Sequence, residues 1–219
     1  EAGDPQANVV YEALIDGMLA NGEPGIVNYT IASEGESGDL CPNPCQEIFL
    51  EPFEPCCLGH INLAHFGNDF QGAAEAARLM ARFLVRATHS PVEDPRQREV
   101  LERNRRIGVG ILGYQEWGLA HGYKYSQIHK SEIMGAKLSV IGYQAKKAAR
   151  EYAAMLSIPA PIKTTCVAPT GTISALPGVT AGIHPIFSRY FVRRVRYAAN
   201  DPLLQEHIDK VLAAQEERE

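Results

Sequence analysis

The sequence has 219 residues, of which 45% are hydrophobic, and it carries a formal net charge of -5. This length and apolar content suffice for one large domain with a hydrophobic core, or for part of a bigger one. The acidic balance argues against nucleic acid or an anionic membrane as a partner, and no apolar run is long enough to span a bilayer. The first residues lack the profile of a signal peptide, so we expect a cytoplasmic protein that binds a small molecule or another protein.

Apolar periodicity and breaker residues predict the elements in chain order. Amphipathic helices that end at glycine, proline or polar residues are predicted at about 9–21, 69–89, 131–156 and 201–217. Segment 101–122 has a basic cluster and closely spaced glycines, which favour a tight turn leading into a helix. The β-branched segment 162–168 is predicted to be a short buried strand, and 188–197 is also β-prone. This alternation of helices and short strands indicates an α/β fold.

Four of the five cysteines lie within residues 41–57, where three prolines between Pro42 and Pro52 predict an irregular or extended loop. Their spacings of four, eleven and one do not match the paired C-x2-C knuckles of zinc sites, so we expect no metal ion. A zinc-binding module stays open as an alternative, with these candidate ligands: Cys41, Cys45, Cys56, Cys57 and His60. The odd cysteine count argues against a fully paired disulfide framework, and Cys166 is interpreted as a small buried hydrophobe.

Cys45 is flanked at minus two and plus two by Asn43 and Glu47. In an extended segment alternate residues project to the same face, so we expect an amide, a thiol and a carboxylate to lie together. An amide can orient a hydroxyl, a carboxylate can take or return its proton, and a thiol can give up a hydrogen atom or an electron pair. The spacing by itself is a weak signal, because such short patterns arise by chance.

Several motifs together resemble a known family. In chain order they are "NPCQE", "CCLGHINL", "NRRIGVGILG", "APTGTIS" and "GVTAGIHPIF". They occur in the same order in the large catalytic subunit of ribonucleotide reductases, and "NGEPGI" and "RYFVRRVRY" also match in style. The spacing of eleven before "CCLGHINL" and the segment "GIHPIFSRYFVRR" resemble the adenosylcobalamin-dependent class, and within it the enzymes that reduce nucleoside triphosphates.

The resemblance implies a radical enzyme that makes 2′-deoxyribonucleotides for DNA synthesis. By position, Cys45 would carry the transient thiyl radical that abstracts the 3′-hydrogen, and Glu47 would be the general base on the 3′-hydroxyl. Asn43 would bind the substrate's hydroxyls, and Cys56 would be one member of the redox dithiol. The implied cofactor is adenosylcobalamin, and the implied reductant is an external dithiol such as thioredoxin.

The family's phosphate-binding loop resembles the turn that follows segment 162–168. Its residues are Pro169, Thr170, Gly171, Thr172, Ile173 and Ser174. Exposed backbone N–H groups around Gly171, with the neighbouring hydroxyls, can cradle a phosphate without a formal positive charge. A turn of this kind is more often only a turn, but its place after a predicted strand favours the phosphate site. The basic residues of 188–197 are interpreted as a solvated face.

The resemblance also implies a fold, namely a ten-stranded α/β barrel around a central finger loop. Residues 1–219 would form one partial catalytic domain, roughly the second half of the barrel, with the finger loop at about 40–60 and the phosphate turn at about 168–175. The partner cysteine of Cys56 has no counterpart in this chain, so we expect a fragment, or a split enzyme with a companion chain supplying the N-terminal half-barrel. The alternatives are an oxygen-dependent class I fragment and a non-catalytic structural or binding remnant.

Overall fold

The computed structural model describes residues 4–34, 36, 40–192, 194 and 196–216. The chain divides into two compact units, Glu1–Pro185 and Ile186–Glu219. Among the residues described, no helix combines the length and the apolar character that crossing a membrane requires.

The first unit contains eight α-helices and four strands in its described residues. The helices are α1 Pro5–Asn21, α2 Tyr29–Ala32, α3 Leu63–Phe66, α4 Phe70–Ala87, α5 Pro95–Asn104, α6 Tyr114–Ala120, α7 Tyr125–Ile128 and α8 Glu132–Met155. The strands are β1 Cys41–Pro42, β2 Phe49–Leu50, β3 Leu58–Asn62 and β4 Gly108–Leu112. The second unit contains α9, Pro202–Glu216.

The four predicted helices are confirmed as α1, α4, α8 and α9. Local capping explains where two of them begin. The Asp69 carboxylate accepts a hydrogen bond from the Gly72 N–H at 2.9 Å, and the Ser131 hydroxyl accepts one from the Met134 N–H at 3.4 Å. Each cap satisfies a backbone donor that has no partner within the first helical turn.

Strands β3 and β4 form the parallel sheet that positions the site. They pair in register from Leu58 opposite Gly108 to Asn62 opposite Leu112. Segment 162–168 lies beside β4 but joins it through one parallel bridge, between Val109 and Thr165. The prediction of a strand there is therefore confirmed only as a bridge, and the prediction that it is buried is wrong for Thr165 and Val167, which are exposed.

The sequence did not predict β4, because its alternating glycines indicate a turn when only the local pattern is considered. Gly108 and Gly110 instead belong to β4, where they pair with Leu58 and His60 of β3. A Cβ atom at Gly108 would come within 2.7 Å of Cys166 Sγ, and one at Gly110 within 2.9 Å of His60 Nε2. The glycines therefore make room for side chains from the neighbouring segments.

The hydrophobic core lies between this sheet and helices α4 and α8. Small residues line both helices where they meet, which lets the helices approach closely: Ala73, Ala77, Ala81, Ala145 and Ala149 are all almost fully buried. Ile61 of β3 and Val109 of β4 join the same cluster from the sheet. The core thus covers one face of the sheet and leaves the other face to the cysteine loop.

These elements confirm the α/β fold but contain only two paired parallel strands of the expected barrel. The ten-stranded closure is not seen in the part of the chain that the structure describes. In 188–197 the described residues form no strand, so the β-prone pattern there did not predict the structure, and Arg193 and Val195 lie outside the described residues.

Candidate active site

The cysteine loop forms a tight β-hairpin. Strands β1 and β2 pair antiparallel, and the Asn43 N–H donates to the Ile48 carbonyl at 3.1 Å across the turn. Gln46 has a φ of 63°, in the left-handed region, and this reverses the chain. The expectation of an extended backbone with Asn43, Cys45 and Glu47 on alternate positions is therefore wrong for this stretch.

The turn nevertheless brings the predicted polar groups together. The Asn43 amide Nδ2 donates to Glu47 Oε1 at 2.8 Å and also contacts Cys56 Sγ at 3.5 Å. Cys45 lies on the same turn with its side chain exposed. An amide, a carboxylate and a thiol thus form one hydrogen-bonded group, and a second, accessible thiol lies between Asn43 and Glu47 in the chain.

Three polar atoms at this site are buried and have no hydrogen-bond partner among the residues described. They are Asn43 Oδ1, Glu47 Oε2 and His60 Nε2. Buried polar atoms in folded proteins are nearly always paired, so an unpaired group of them marks a place where a ligand or an ordered water binds. The unpaired atoms of Asn43 and Glu47 belong to the two side chains that the sequence assigned to substrate hydroxyls.

All five cysteines are free thiols. Cys56 is exposed as a residue, but partial desolvation of its thiol raises the pKa of Cys56. The nearby Glu47 charge raises it further, although the Asn43 hydrogen bond opposes this. Burial, Glu47 and Cys56 raise the pKa of Cys166 to about 12. Both thiols therefore keep their S–H hydrogen at neutral pH, which suits them to hydrogen transfer better than to nucleophilic attack by a thiolate.

Two residues of this neighbourhood were not predicted as site residues. Cys166 was interpreted as a buried hydrophobe, but it is only partly buried and lies within electrostatic reach of Glu47 and Cys56. His60 was considered only as a zinc ligand. The spacing of Gly108 and Gly110 indicates that side chains pack closely against one face of β4, but it does not show which residues supply them.

A buried ionic network holds the segment that leads away from the hairpin. The Arg106 guanidinium donates through Nε to Glu54 Oε1 at 3.0 Å and through Nη1 to Glu36 Oε1 at 2.7 Å. All three side chains are at most 5% exposed. Asn104 donates to Glu54 at 3.1 Å and to Glu51 at 2.7 Å. The network ties the chain just after β2 to the chain just before β4.

Arg106→Met is expected to lower the free energy of unfolding by about 3–5 kcal/mol, because it leaves the buried Glu54 carboxylate without a cation and Glu36 with only Lys163, at 3.5 Å. Burial by itself would raise the pKa of Glu36, but the hydrogen bonds and charge of Arg106, with Lys163, lower it below its usual range. A carboxyl group with a lowered folded-state pKa stabilises the fold above its unfolded pKa and loses this as the pH falls. Urea unfolding should therefore show the largest loss near neutral pH and a smaller one in acid.

Arg103→Met is the matched control for that measurement. Arg103 also forms an ion pair, with Glu51, but its side chain is 51% exposed. Exposed pairs contribute about 1 kcal/mol or less. An equal loss in both variants would contradict a special role for the buried network.

The predicted phosphate turn follows the bridge segment. The Thr170 hydroxyl accepts from the Gly182 N–H at 2.6 Å, and Ser174 is buried, so these two side chains support the turn from inside. Gly171, Thr172 and Ile173 are exposed, and their backbone N–H groups have no acceptor in the described part of the chain. A Cβ atom at Gly171 would meet nothing within 4 Å. Phosphate binding at this turn stays a prediction.

No group of three or more His, Cys, Asp or Glu side chains that could hold a metal ion occurs among the residues that the structure describes.

With this geometry in place, comparison with known families identifies the class of the protein. The family model described as ribonucleotide reductase, barrel domain, matches residues 5–160. The chain therefore belongs to the ribonucleotide reductase barrel family, as the sequence motifs predicted.

Individual relatives indicate which class of ribonucleotide reductase the chain is most similar to. The chain is 49% identical over 202 residues to a protein of Mycobacterium phage D29 described as a candidate adenosylcobalamin-dependent ribonucleoside-triphosphate reductase, covering 90% of this chain and 29% of the relative. It is 33% identical over 226 residues to the adenosylcobalamin-dependent ribonucleoside-triphosphate reductase of Lactobacillus gasseri, covering 89% of this chain and 30% of the relative. The chain thus spans about three tenths of these relatives, and the oxygen-dependent alternative is not favoured.

Two solved structures are similar to this chain. A B12-dependent (class II) ribonucleotide reductase matches with a TM-score of 0.62 and 27% identity, over 80% of this chain and 28% of that one. A class Id ribonucleotide reductase α subunit from Actinobacillus ureae matches with a TM-score of 0.69 and 19% identity, over 95% of this chain and 44% of that one. At that lower identity the second match supports the fold alone.

Proposed function

We propose that this chain carries the radical-bearing part of the active site of an adenosylcobalamin-dependent reductase that converts ribonucleoside triphosphates to 2′-deoxyribonucleoside triphosphates. One observation carries the proposal. The hairpin turn that holds the exposed Cys45 also joins Asn43, Glu47 and Cys56 by hydrogen bonds and leaves unpaired oxygen atoms on Asn43 and Glu47. The names of the most similar relatives supply the cofactor and the triphosphate substrate.

The exposed Cys45 thiol fits this cofactor, because a radical source outside the hairpin can reach it. Cys45 would face the cofactor, and bound adenosylcobalamin would supply the radical chemistry that converts this thiol to a thiyl. The Cys45 thiyl would take the 3′-hydrogen of the ribose and become a thiol. At the end of the reaction it would return that hydrogen to C3′, so that Cys45 is again the thiyl with which the reduction began.

Glu47 takes the proton of the 3′-hydroxyl, which eases loss of the 2′-hydroxyl as water. Asn43 holds the hydroxyls through the amide that it also uses to fix Glu47. Two electrons and two protons come from Cys56 and a second thiol, which are oxidised to a disulfide while the ribose is reduced. An external dithiol such as thioredoxin then reduces this disulfide by thiol exchange.

The second thiol of this pair comes from a part of the enzyme that this chain does not include. The chain spans about 30% of the length of its relatives. The family resemblance implies an upstream cysteine as the partner of Cys56, and this chain has no counterpart of it. We therefore include in the proposal a companion segment, or a companion chain, that supplies the N-terminal half of the barrel.

Reconstitution tests the proposed function. The chain is mixed with the polypeptide that completes the barrel, adenosylcobalamin, a dithiol and a ribonucleoside triphosphate, and 2′-deoxynucleotide is measured. We expect product only when all components are present, with more from the triphosphate than from the diphosphate. If the mixture forms no product while the Lactobacillus gasseri relative is active under the same conditions, the proposal is wrong.

Gly171→Ala is expected to raise the KM for the nucleoside triphosphate about tenfold, a loss of about 1.4 kcal/mol, with little change in kcat. The added methyl group meets no protein atom, so it would interfere only with a phosphate approaching the exposed N–H groups. The measurement is steady-state reduction over a range of substrate concentrations.

Gly135→Ala is the matched control, since a Cβ atom there also meets nothing within 4 Å, but Gly135 lies on α8. This substitution should leave KM unchanged and slightly stabilise the helix. A Gly171→Ala enzyme with a wild-type KM would show that this turn does not bind the phosphate.

A further inference from the structure

His60 lies at the centre of β3 and points to the face of the sheet opposite the core. Its neighbours Gly59 and Ile61 face helix α4, because a Cβ atom at Gly59 would meet the Met80 side chain and Ile61 is buried in the core cluster. Successive strand residues alternate between faces, so His60 projects to the other side. This side also carries Glu47, whose charge acts on His60.

The strand opposite His60 holds its ring in place. His60 is the register partner of Gly110, and a Cβ atom on Gly110 would come within 2.5 Å of His60 Cδ2 and 2.9 Å of Nε2. The ring therefore lies against the Gly110 backbone, in space that any other residue would fill. A side chain packed this closely on glycine has a defined position, as a substrate-positioning group requires.

The Nε2 atom of His60 is buried and has no protein partner among the described residues. Glu47 Oε2 and Asn43 Oδ1 are unpaired in the same way. The three atoms come from two separate segments, the hairpin turn and β3, so their unpaired state is not a defect of one loop. One bound group with hydroxyl donors and acceptors could satisfy all three.

The surroundings keep the imidazole neutral. Burial lowers the pKa of His60 below its usual range, although the Glu47 carboxylate raises it in part. The nearby Cys56 and Cys166 thiols have raised pKa values and are uncharged at neutral pH. A neutral imidazole can either donate or accept one hydrogen bond at Nε2, which matches a hydroxyl group.

We propose that His60 is a further substrate-binding residue, whose Nε2 hydrogen-bonds a ribose hydroxyl of the nucleotide that Glu47 Oε2 and Asn43 Oδ1 also hold. This inference rests on the proposed function for the identity of the ligand. His60 extends the site beyond Asn43, Cys45 and Glu47 of the hairpin, because its imidazole is held by the sheet and not by the loop.

The first test does not depend on turnover. In the complex of this chain with the polypeptide that completes the barrel, the His60 ring is labelled with ¹⁵N and a ribonucleoside triphosphate is added. We expect the Nε2 resonance to shift with the ribonucleotide and to stay in place with the 2′,3′-dideoxynucleotide. Equal shifts with both nucleotides, or none with either, would overturn the inference.

The second test compares two variants in steady-state reduction. His60→Leu should raise KM for the ribonucleotide about tenfold, whereas His60→Gln, which keeps a polar group near the position of Nε2, should recover most of the loss. The exposed His65 supplies the control variant His65→Gln, which should behave as wild type. A His60→Leu enzyme with wild-type KM would show that His60 does not bind the ribose while the proposed function stands. If reduction is absent but the His60 resonance still distinguishes the two nucleotides, the proposed function fails and this inference survives.

Discussion

Cys45→Ser is expected to abolish deoxynucleotide formation without unfolding the protein. A serine hydroxyl holds its hydrogen much more strongly than a thiol does, so the radical that a thiol can carry is out of reach for serine. The side chain at this position is exposed, and serine is nearly isosteric with cysteine, so the hairpin should keep its shape. Product formation by the reconstituted enzyme is the measurement, with circular dichroism and a thermal unfolding curve to verify the fold.

Cys41→Ser is the matched control for this loss. Cys41 lies in the same hairpin, four residues earlier, and is also an exposed free thiol. We expect this variant to keep wild-type activity, because Cys41 pairs with Leu50 through its backbone and has no assigned role. Substantial turnover by Cys45→Ser would show that Cys45 does not carry the radical. An equal loss of deoxynucleotide formation in Cys41→Ser would show that the loss is not specific to Cys45.

The sequence predicted the helices well because their signals are local. Each of α4 and α8 has a capping side chain and an apolar face of small residues, and both features can be recognised within one window of the chain. Strand β4 depends instead on its neighbours. Its glycines are explained only by His60 and Cys166, which are about 50 residues away in the chain on either side, and local patterns do not contain that information.

In the candidate site, too, the sequence predicted what depends on neighbouring residues and not what depends on residues far away in the chain. The sequence placed Asn43, Cys45 and Glu47 together for a reason that proved wrong, since a left-handed turn at Gln46, and not an extended strand, brings Asn43 to Glu47. The grouping survives because residues four apart also meet across a tight turn. No local pattern could show that Arg106 would be buried between Glu36 and Glu54, which are 70 and 52 residues away.

The state of the thiols connects the fold to the proposed chemistry. A carboxylate close to Cys56 and Cys166 disfavours thiolate at both positions, and burial acts in the same direction. An enzyme that used a cysteine nucleophile would need the opposite environment, with a cation or a helix N-terminus to lower the thiol pKa. Glu47 therefore has two effects at this site, since it is positioned to take a proton from substrate and it also keeps nearby thiols in the S–H form.

Glu47→Gln isolates the first of these effects and is expected to lower kcat by about 10²–10⁴-fold, the usual contribution of a general base. Glutamine keeps an oxygen that can accept the Asn43 hydrogen bond, now 2.8 Å long, so the turn should survive while the ability to take a proton is lost. Substrate binding, measured by equilibrium dialysis of the ribonucleoside triphosphate, should change much less than kcat. Glu93→Gln, at an exposed position outside the site, is the control and should be fully active. A Glu47→Gln enzyme within about threefold of wild-type kcat would fall far short of a general-base contribution and would assign the proton transfer to another group.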